Sequence, residues 1–461
     1  MSKMFYNCCS LENLDLSHFK NENVTDMSHM FYSCISLKNI NLLEFNTSNV
    51  TNMESMFQNC KSLEEINLSS FNTQKVINMK SMFCNCANLK NLNLSNFETK
   101  NVIKMTAMFD NCSELKELDL STFNDENVSD MGWMFSSCQK LMNLNISSFK
   151  TKNVKLMNSM FMYCESLETL DISSFNTENF KRMSSMFRGC EKLKNLNISN
   201  FNTERVIKMD SMFESCISLT ELNLQNFKTQ CVKDMSSMFS GCEKLINLNL
   251  SSFNTEMVTN MRSMFESCVS LTELNLQNFK TQCVEDMRMM FKNCKNLKSL
   301  ELSSFNTEKV TNMSSMFESC ESLEELNLKN FNTINVTNMT KMFYNCKLLS
   351  DLEISNFSVD NLKNSDSMFS NCEKLKNIDV SKFKTKKDIG NYMMLESNDQ
   401  ELNLILPNGD NKKEDAKDSN NLRKLNLILS DDDKKEDVKD SNNSRKKDGE
   451  GCTPSCKCLI S

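Results

Sequence analysis

Apolar residues along this chain follow two spacings that alternate with a period of 26 residues. In residues 50–75, Val50, Met53, Met56, Phe57 and Cys60 are separated by three and four, which is one face of a short helix. Leu63, Ile66 and Leu68 then pass into alternation, the mark of a short strand with one buried face. Ser69-Ser70-Phe71-Asn72-Thr73 turns the chain back, and its Asn and Thr suit a helix entry. Each unit therefore reads as strand, turn, short helix, turn. Successive strands should stack in register into one parallel sheet.

A fixed period of this size means a solenoid. One 26-residue unit cannot bury its own apolar face, whereas stacked units share one continuous core. The period is kept by fifteen cysteines, from Cys8, Cys34 and Cys60 to Cys372. All but one of the 31 phenylalanines, Phe180 being the exception, occupy two repeat positions. The two prolines, Pro407 and Pro454, lie beyond the repeats. A methionine and aromatic stripe that recurs in every unit is core packing rather than a cofactor site. Fifteen units at the strand spacing give a rod about 70 Å long.

The segment Leu63-x-x-Ile66-x-Leu68 resembles the Leu-x-x-Leu-x-Leu core of leucine-rich repeats. The stretch from Phe305 to Cys320 is similar to the 26-residue, BspA-like class of that superfamily, found on surface proteins of some bacteria and in protists. The resemblance covers residues 4 to 406. It implies an α/β repeat solenoid with one parallel β-sheet and short helices or helical turns on the opposite side. It also implies that the strand face is the concave one, where partners usually bind.

Chemistry of the catalytic kind has no visible seat. No nucleophile-base pair, phosphate loop or recurring Cys-x-x-Cys pair stands out, and the chain has only two histidines, His18 and His29. No enzyme activity, cofactor or metal is expected. The cysteine ladder admits two readings. Adjacent turns lie within the Cα range of a disulfide. Fifteen is odd, however, and stacked side chains point the same way, which favours buried thiols acting as small hydrophobes. Cys9, Cys84, Cys231 and Cys283 fall off the ladder. So many unpaired thiols suit a reducing compartment.

The outward positions of the strands carry a directional charge pattern. Two columns flank the central leucine of each strand, giving thirty sites. Twelve are acidic: Asp15, Glu65, Glu117, Asp119, Asp171, Glu221, Glu273, Glu301, Glu325, Asp351, Glu353 and Asp379. None is Lys or Arg, in a chain with 53 Lys and Arg against 60 Asp and Glu. Asparagine fills most other sites, so amide-amide hydrogen bonds between stacked turns are one explanation. The other is an acid-amide binding face for a basic protein partner or for sugar hydroxyls. Nucleic acid is a poor fit, because this face and the net charge of −7 both repel phosphate. Asn-x-Ser/Thr sequons such as Asn67-Leu68-Ser69 and Asn335-Val336-Thr337 are by-products of the repeat.

Residues 1–406 read as the solenoid, with 388–406 a degenerate last unit. The segment 407–451 reads as a disordered charged linker containing a second copy of Leu-Asn-Leu-Ile-Leu, and 452–461 as a lipidation tail. Cys458-Leu459-Ile460-Ser461 has the form of a CaaX box, with serine favouring farnesyl, and Cys456 and Cys452 are palmitoylation candidates. This end is similar to the tail of a Ras-type small GTPase, which implies a prenyltransferase partner and a lipid anchor. The first residues, Met1 to Phe5, enter the repeat directly, so no signal segment is expected and the first turn could self-associate. The leading expectation is a protein-binding scaffold anchored to the cytoplasmic face of the plasma membrane or an endomembrane. The alternatives are a BspA-like cell-surface adhesin or antigen contacting host or matrix proteins, and a regulatory subunit of an enzyme.

Overall fold

The computed structural model describes residues 1–379, 402–406 and 425–429. It is a parallel β-solenoid in which every turn consumes 26 residues, with thirteen turns between Asp26 and Asn364. Short strands mark the sheet face: β1 (Asn13–Asp15), β2 (Asn39–Asn41), β3 (Glu117–Asp119), β4 (Asn143–Asn145), β5 (Thr169–Leu170), β6 (Asn195–Leu196) and β7 (Glu221–Leu222). They continue with β8 (Asn247–Leu248), β9 (Glu325–Leu326), β10 (Asp351–Leu352), β11 (Asn377–Asp379), β12 (Leu402–Leu406) and β13 (Leu425–Leu429). Strand pairs are parallel and in register at the repeat spacing, as in Asn13 with Asn39 and Glu221 with Asn247.

The expected helices are absent among the described residues. The segment from Met53 to Cys60 is a run of tight turns instead. Alternate amides point inward along the chain, as in Met56 N–H to Met53 C=O (3.2 Å) and Cys60 N–H to Phe57 C=O (3.1 Å). The amides between them leave the turn altogether. Met53, Ser55, Phe57 and Asn59 donate to Asn78, Lys80, Met82 and Cys84 of the next turn at 2.8–2.9 Å. An α-helix needs those same N–H groups for its own i−4 carbonyls. Two residues per turn also sit in the left-handed region, Ser55 at φ 55° and Asn59 at φ 64°, which no right-handed helix tolerates. Spacing by three and four is thus met by successive i−3 turns.

Three further ladders stitch the turns. On one flank, Thr51 N–H donates to Thr25 C=O and Ile77 N–H to Thr51 C=O, both at 2.8 Å, beside bridges running from Asp26 to Asn364. Inside, a threonine column is buried: Thr47 Oγ1 donates to Asn72 C=O (2.9 Å) and accepts from Asn72 N–H (2.7 Å). Asp125 replaces threonine in one turn and can only accept, from Lys150 N–H (3.0 Å) and Thr151 N–H (2.6 Å). There the Lys150 carbonyl turns to Asn176 N–H (2.9 Å). The Asn-Thr pair, expected as a helix entry, thus serves as an internal hydrogen-bonding column.

Each complete turn sends Val, two Met, two Phe, Cys and three Leu or Ile inward, and these merge into one core from Leu16 to Ile378. The Met-Phe phenylalanines stack nearly parallel, 5.8 Å apart for Phe83 and Phe109 with 2° between planes. Ladder cysteines are free thiols and almost all buried. From Cys34 to Cys372 each S–H donates to the phenylalanine carbonyl 29 residues earlier, at 3.0–3.3 Å. Among the off-ladder cysteines, Cys84 is buried and interacts with the Asp110 carboxylate (3.7 Å).

The second Leu-Asn-Leu-Ile-Leu copy lies within the segment read as linker, yet it forms β13. It pairs in register with β12, which pairs with β11. The sheet therefore runs one strand further than the repeat count implies. The rest of 380–461, including Cys452, Cys456 and Cys458, lies outside the described residues. Among the described residues no helix is long and apolar enough to cross a membrane.

Candidate protein-binding face

The outward residues of the strands divide into two columns with different work. The column that follows the central leucine closes the strand. Asp15 Oδ1 accepts from Ser17 N–H (2.9 Å), Asn67 Oδ1 from Ser69 N–H (3.0 Å) and Asp119 Oδ1 from Ser121 N–H (2.9 Å). Asp171 and Glu301 do the same for Ser173 and Ser303. This is the Asx turn, a short side chain standing in for a backbone carbonyl. It explains why asparagine and aspartate dominate here. The serine amide holds the Asp15 and Asp119 carboxyls below the usual carboxylate range. For Asp171 and Glu301 the serine hydroxyl does so first and the amide second. Glu353 pairs with Lys329 at 3.1 Å, and the side chain of Asp379 is outside the described residues.

Amide-amide bonds between turns are rare on this face, with Asn39 Nδ2 to Asn13 Oδ1 (2.7 Å) the example. The amide ladder lies elsewhere, where Asn85 donates to Asn59 and Asn111 to Asn85, each at 2.9 Å. The sequon residue Asn335 is also engaged, its Nδ2 donating to Glu308 C=O at 2.7 Å.

The column that precedes the central leucine holds Glu65, Glu117, Glu221, Glu273, Glu325 and Asp351. All six are exposed and none forms an ion pair among the described residues. The five glutamates fall on every second turn, with Thr169 breaking the series once and Asn91, Asn143, Asn195, Asn247 and Ser299 on the turns between. Turns at the strand spacing of about 4.8 Å place successive acids roughly 10 Å apart. The neighbouring rim column is where cations appear, tied to acids one turn away: Lys38 with Glu12 (3.0 Å), Lys90 with Glu64 (2.6 Å), Lys194 with Glu168 (2.8 Å).

Two broad open depressions lie on this face. One is lined by Asn13, Asp15, Asn39, Asn41, Glu65 and Asn67, the other by Asn93, Glu117, Asp119, Asn143, Asn145 and Asp171. Half-buried Leu14, Ile40, Leu92 and Leu144 form their floors. Sequence reading passed over two rim residues, Met142 (49% exposed) and Ile246 (51%). The available signal was an apolar residue in a column otherwise rich in Lys, Glu and Thr. Among the described residues no group of His, Cys, Asp and Glu could hold a metal ion.

A family model described as "Mycoplasma protein of unknown function, DUF285" matches residues 1–120, 105–222, 219–324 and 293–404. No curated protein matches the chain. Similar solved structures include a leucine-rich repeat protein of T. pallidum, TpLRR, at 21% identity, covering 36% of this chain and 69% of that one, with a TM-score of 0.27. A leucine-rich repeat protein from Eubacterium ventriosum aligns at 13% identity over 77% of this chain and 89% of its own, with a TM-score of 0.31. The functional domain of InlJ from Listeria monocytogenes, which includes a cysteine ladder, aligns at 13% identity over 64% and 69%, with a TM-score of 0.16.

Proposed function

We propose, from the premise that this chain belongs to the DUF285 family, that it is a non-enzymatic scaffold that binds a basic protein segment along its strand face. The observation that carries this reading is the unpaired glutamate row on alternate turns. An extended peptide advances about 3.3 Å per residue, so cations at every third residue recur at roughly 10 Å. That pitch matches the glutamate row. The acids do no visible structural work, unlike the Asx-turn column beside them, and the half-buried leucines between them offer apolar contact to lysine stems.

The test is capture by the full chain of an extended peptide with lysine at every third residue, compared with a peptide of equal charge in one block. The variant Glu221→Lys, Glu273→Lys, Glu325→Lys should lose capture of the spaced peptide while melting like the parent. Equal capture by parent and variant would sink the idea.

The same reading places the scaffold on the cytoplasmic face of a membrane, farnesylated at Cys458 and palmitoylated at Cys456 or Cys452. One prenyl chain binds marginally, and the added acyl groups make the anchor stable. This part requires Ser461 to be the terminal residue. Mass spectrometry of the C-terminal peptide tests it: a farnesyl thioether on trimmed, methylated Cys458 supports it, and an unmodified Cys458-Leu459-Ile460-Ser461 end overturns it.

A further inference from the structure

The flank ladder that runs beside the bridges presents two outward residues per turn. In most turns these are Thr, Ser, Ile, Asn or Asp. Over four consecutive turns the pattern changes to Lys155-Leu156, Lys181-Arg182, Ile207-Lys208 and Lys233-Asp234. Five cations and one acid thus occupy eight sites, in a chain whose net charge is −7. None of the five cations forms an ion pair among the described residues, although lysines of other columns are paired repeatedly. Asp234 is occupied, its Oδ1 accepting from Ser236 N–H (3.1 Å) and Ser236 Oγ (2.7 Å).

The backbone beneath is rigidly held. Lys181 N–H donates to Lys155 C=O (2.8 Å), Ile207 N–H to Lys181 C=O (3.0 Å) and Lys233 N–H to Ile207 C=O (3.1 Å). The column therefore rises along the solenoid axis by about 4.8 Å per turn and spans roughly 14 Å from Lys155 to Lys233. Cations fixed along one line of a flank can all meet a plane of negative charge at once. Exposed Ile207 among them suits the boundary between headgroups and acyl chains, where lysine stems also lie.

We infer that this flank is a docking surface for an anionic lipid membrane. The solenoid would lie with its Lys155–Lys233 side against acidic headgroups, leaving the strand face open. The inference deepens the membrane-scaffold reading and rests on it for its context. It needs no lipid on the chain, so the two can fail separately.

The test uses the unlipidated full-length chain and vesicles of phosphatidylserine in phosphatidylcholine, with pure phosphatidylcholine vesicles as reference. Cosedimentation should favour the acidic vesicles and disappear at high salt. Each basic residue near such a surface strengthens binding by about fivefold, so Lys181→Gln, Arg182→Gln, Lys208→Gln together should weaken it by about 10²-fold. A control triple at exposed lysines of other columns, Lys61→Gln, Lys116→Gln, Lys298→Gln, should bind nearly as the parent does. If the flank triple fails to fold, Lys155→Gln with Lys233→Gln replaces it, with a loss of about 25-fold expected. Equal binding to both vesicle types, an unaffected flank variant, or an equal loss in the control would overturn the inference. So would tighter binding of the flank to a polynucleotide or polyglutamate than to the acidic vesicles.

Discussion

Replacing Thr203 by valine keeps the side-chain shape and deletes one oxygen from the buried threonine column. Thr203 is wholly buried, its Oγ1 donating to Lys228 C=O (2.9 Å) and accepting from Lys228 N–H (2.8 Å). The substitution removes both bonds and leaves two backbone groups of the next turn without partners. Each unsatisfied buried group costs about 1–3 kcal/mol, so a loss of roughly 3 kcal/mol is expected. In a solenoid such a loss is concentrated at one interface between turns, because each turn contacts only its neighbours. Hydrogen exchange at the Lys228 amide is therefore the sharper assay, with acceleration by about 10²-fold if local opening governs exchange. Thr259 supplies an internal control. Its Oγ1 donates to Lys233 C=O at 3.2 Å from an exposed position, so Thr259→Val should stay within about 0.5 kcal/mol of the parent. A Thr203→Val protein indistinguishable from the parent in both stability and Lys228 exchange would refute the role given to the column.

Burial pushes the Asp110 carboxyl above its ordinary range, so the folded state holds that proton more tightly than the unfolded chain does. The resulting stabilisation is fully present in acid and lost as pH rises through the raised value. Asp110→Asn should therefore be more stable than the parent at neutral pH, by a margin that vanishes in acid, as read by urea unfolding across pH. Burial likewise pushes the Cys242 thiol up to about 12. At neutral pH the native chain should alkylate exposed Cys9 while Cys242 stays protected until denaturant is added, as peptide mapping would read. Gly189 sits at φ 72°, and a Cβ there would fall 2.3 Å from Tyr163 Cδ1. Gly189→Ser should cost about 1–3 kcal/mol, and adding Tyr163→Ser should recover most of it, since serine occupies this left-handed position in other turns, as at Ser215 (φ 59°).

The stacking period, the inward residues and the parallel register were legible in the sequence because they depend on side-chain type at fixed intervals. Val50, Met53, Met56, Phe57 and Cys60 show the limit of that logic. Their spacing fits a helix and a run of i−3 turns equally well. The choice is made by where Ser55 and Asn59 send their amides, to a turn 25 residues away, which no local pattern reveals. Ser, Lys, Trp and Met all occupy the left-handed sites, so residue type gave no warning. On the candidate face the acids were visible, but their division was not. Asp15 and Asp119 differ from Glu65 and Glu117 only by two positions in the turn. That shift decides whether a carboxylate caps a serine amide or faces solvent alone.

Every bond between turns joins residues about one period apart, such as 25 for the turn array, 26 for the flank and 29 for the thiols. Inserting or deleting a whole period therefore leaves each partner relation intact, while a single-residue slip would sever those that span it. The gene can thus change the number of turns by recombination between near-identical copies at little structural risk. Residues 212–232 and 264–284 carry the trace of such an event, differing only in Ile217 against Val269. Copying by pairs of turns also duplicates the outward columns, so Glu221 and Glu273 arose as one choice made twice. A lineage of such chains would vary the length of its acidic row in steps of one glutamate, each step lengthening the matching ligand by three residues.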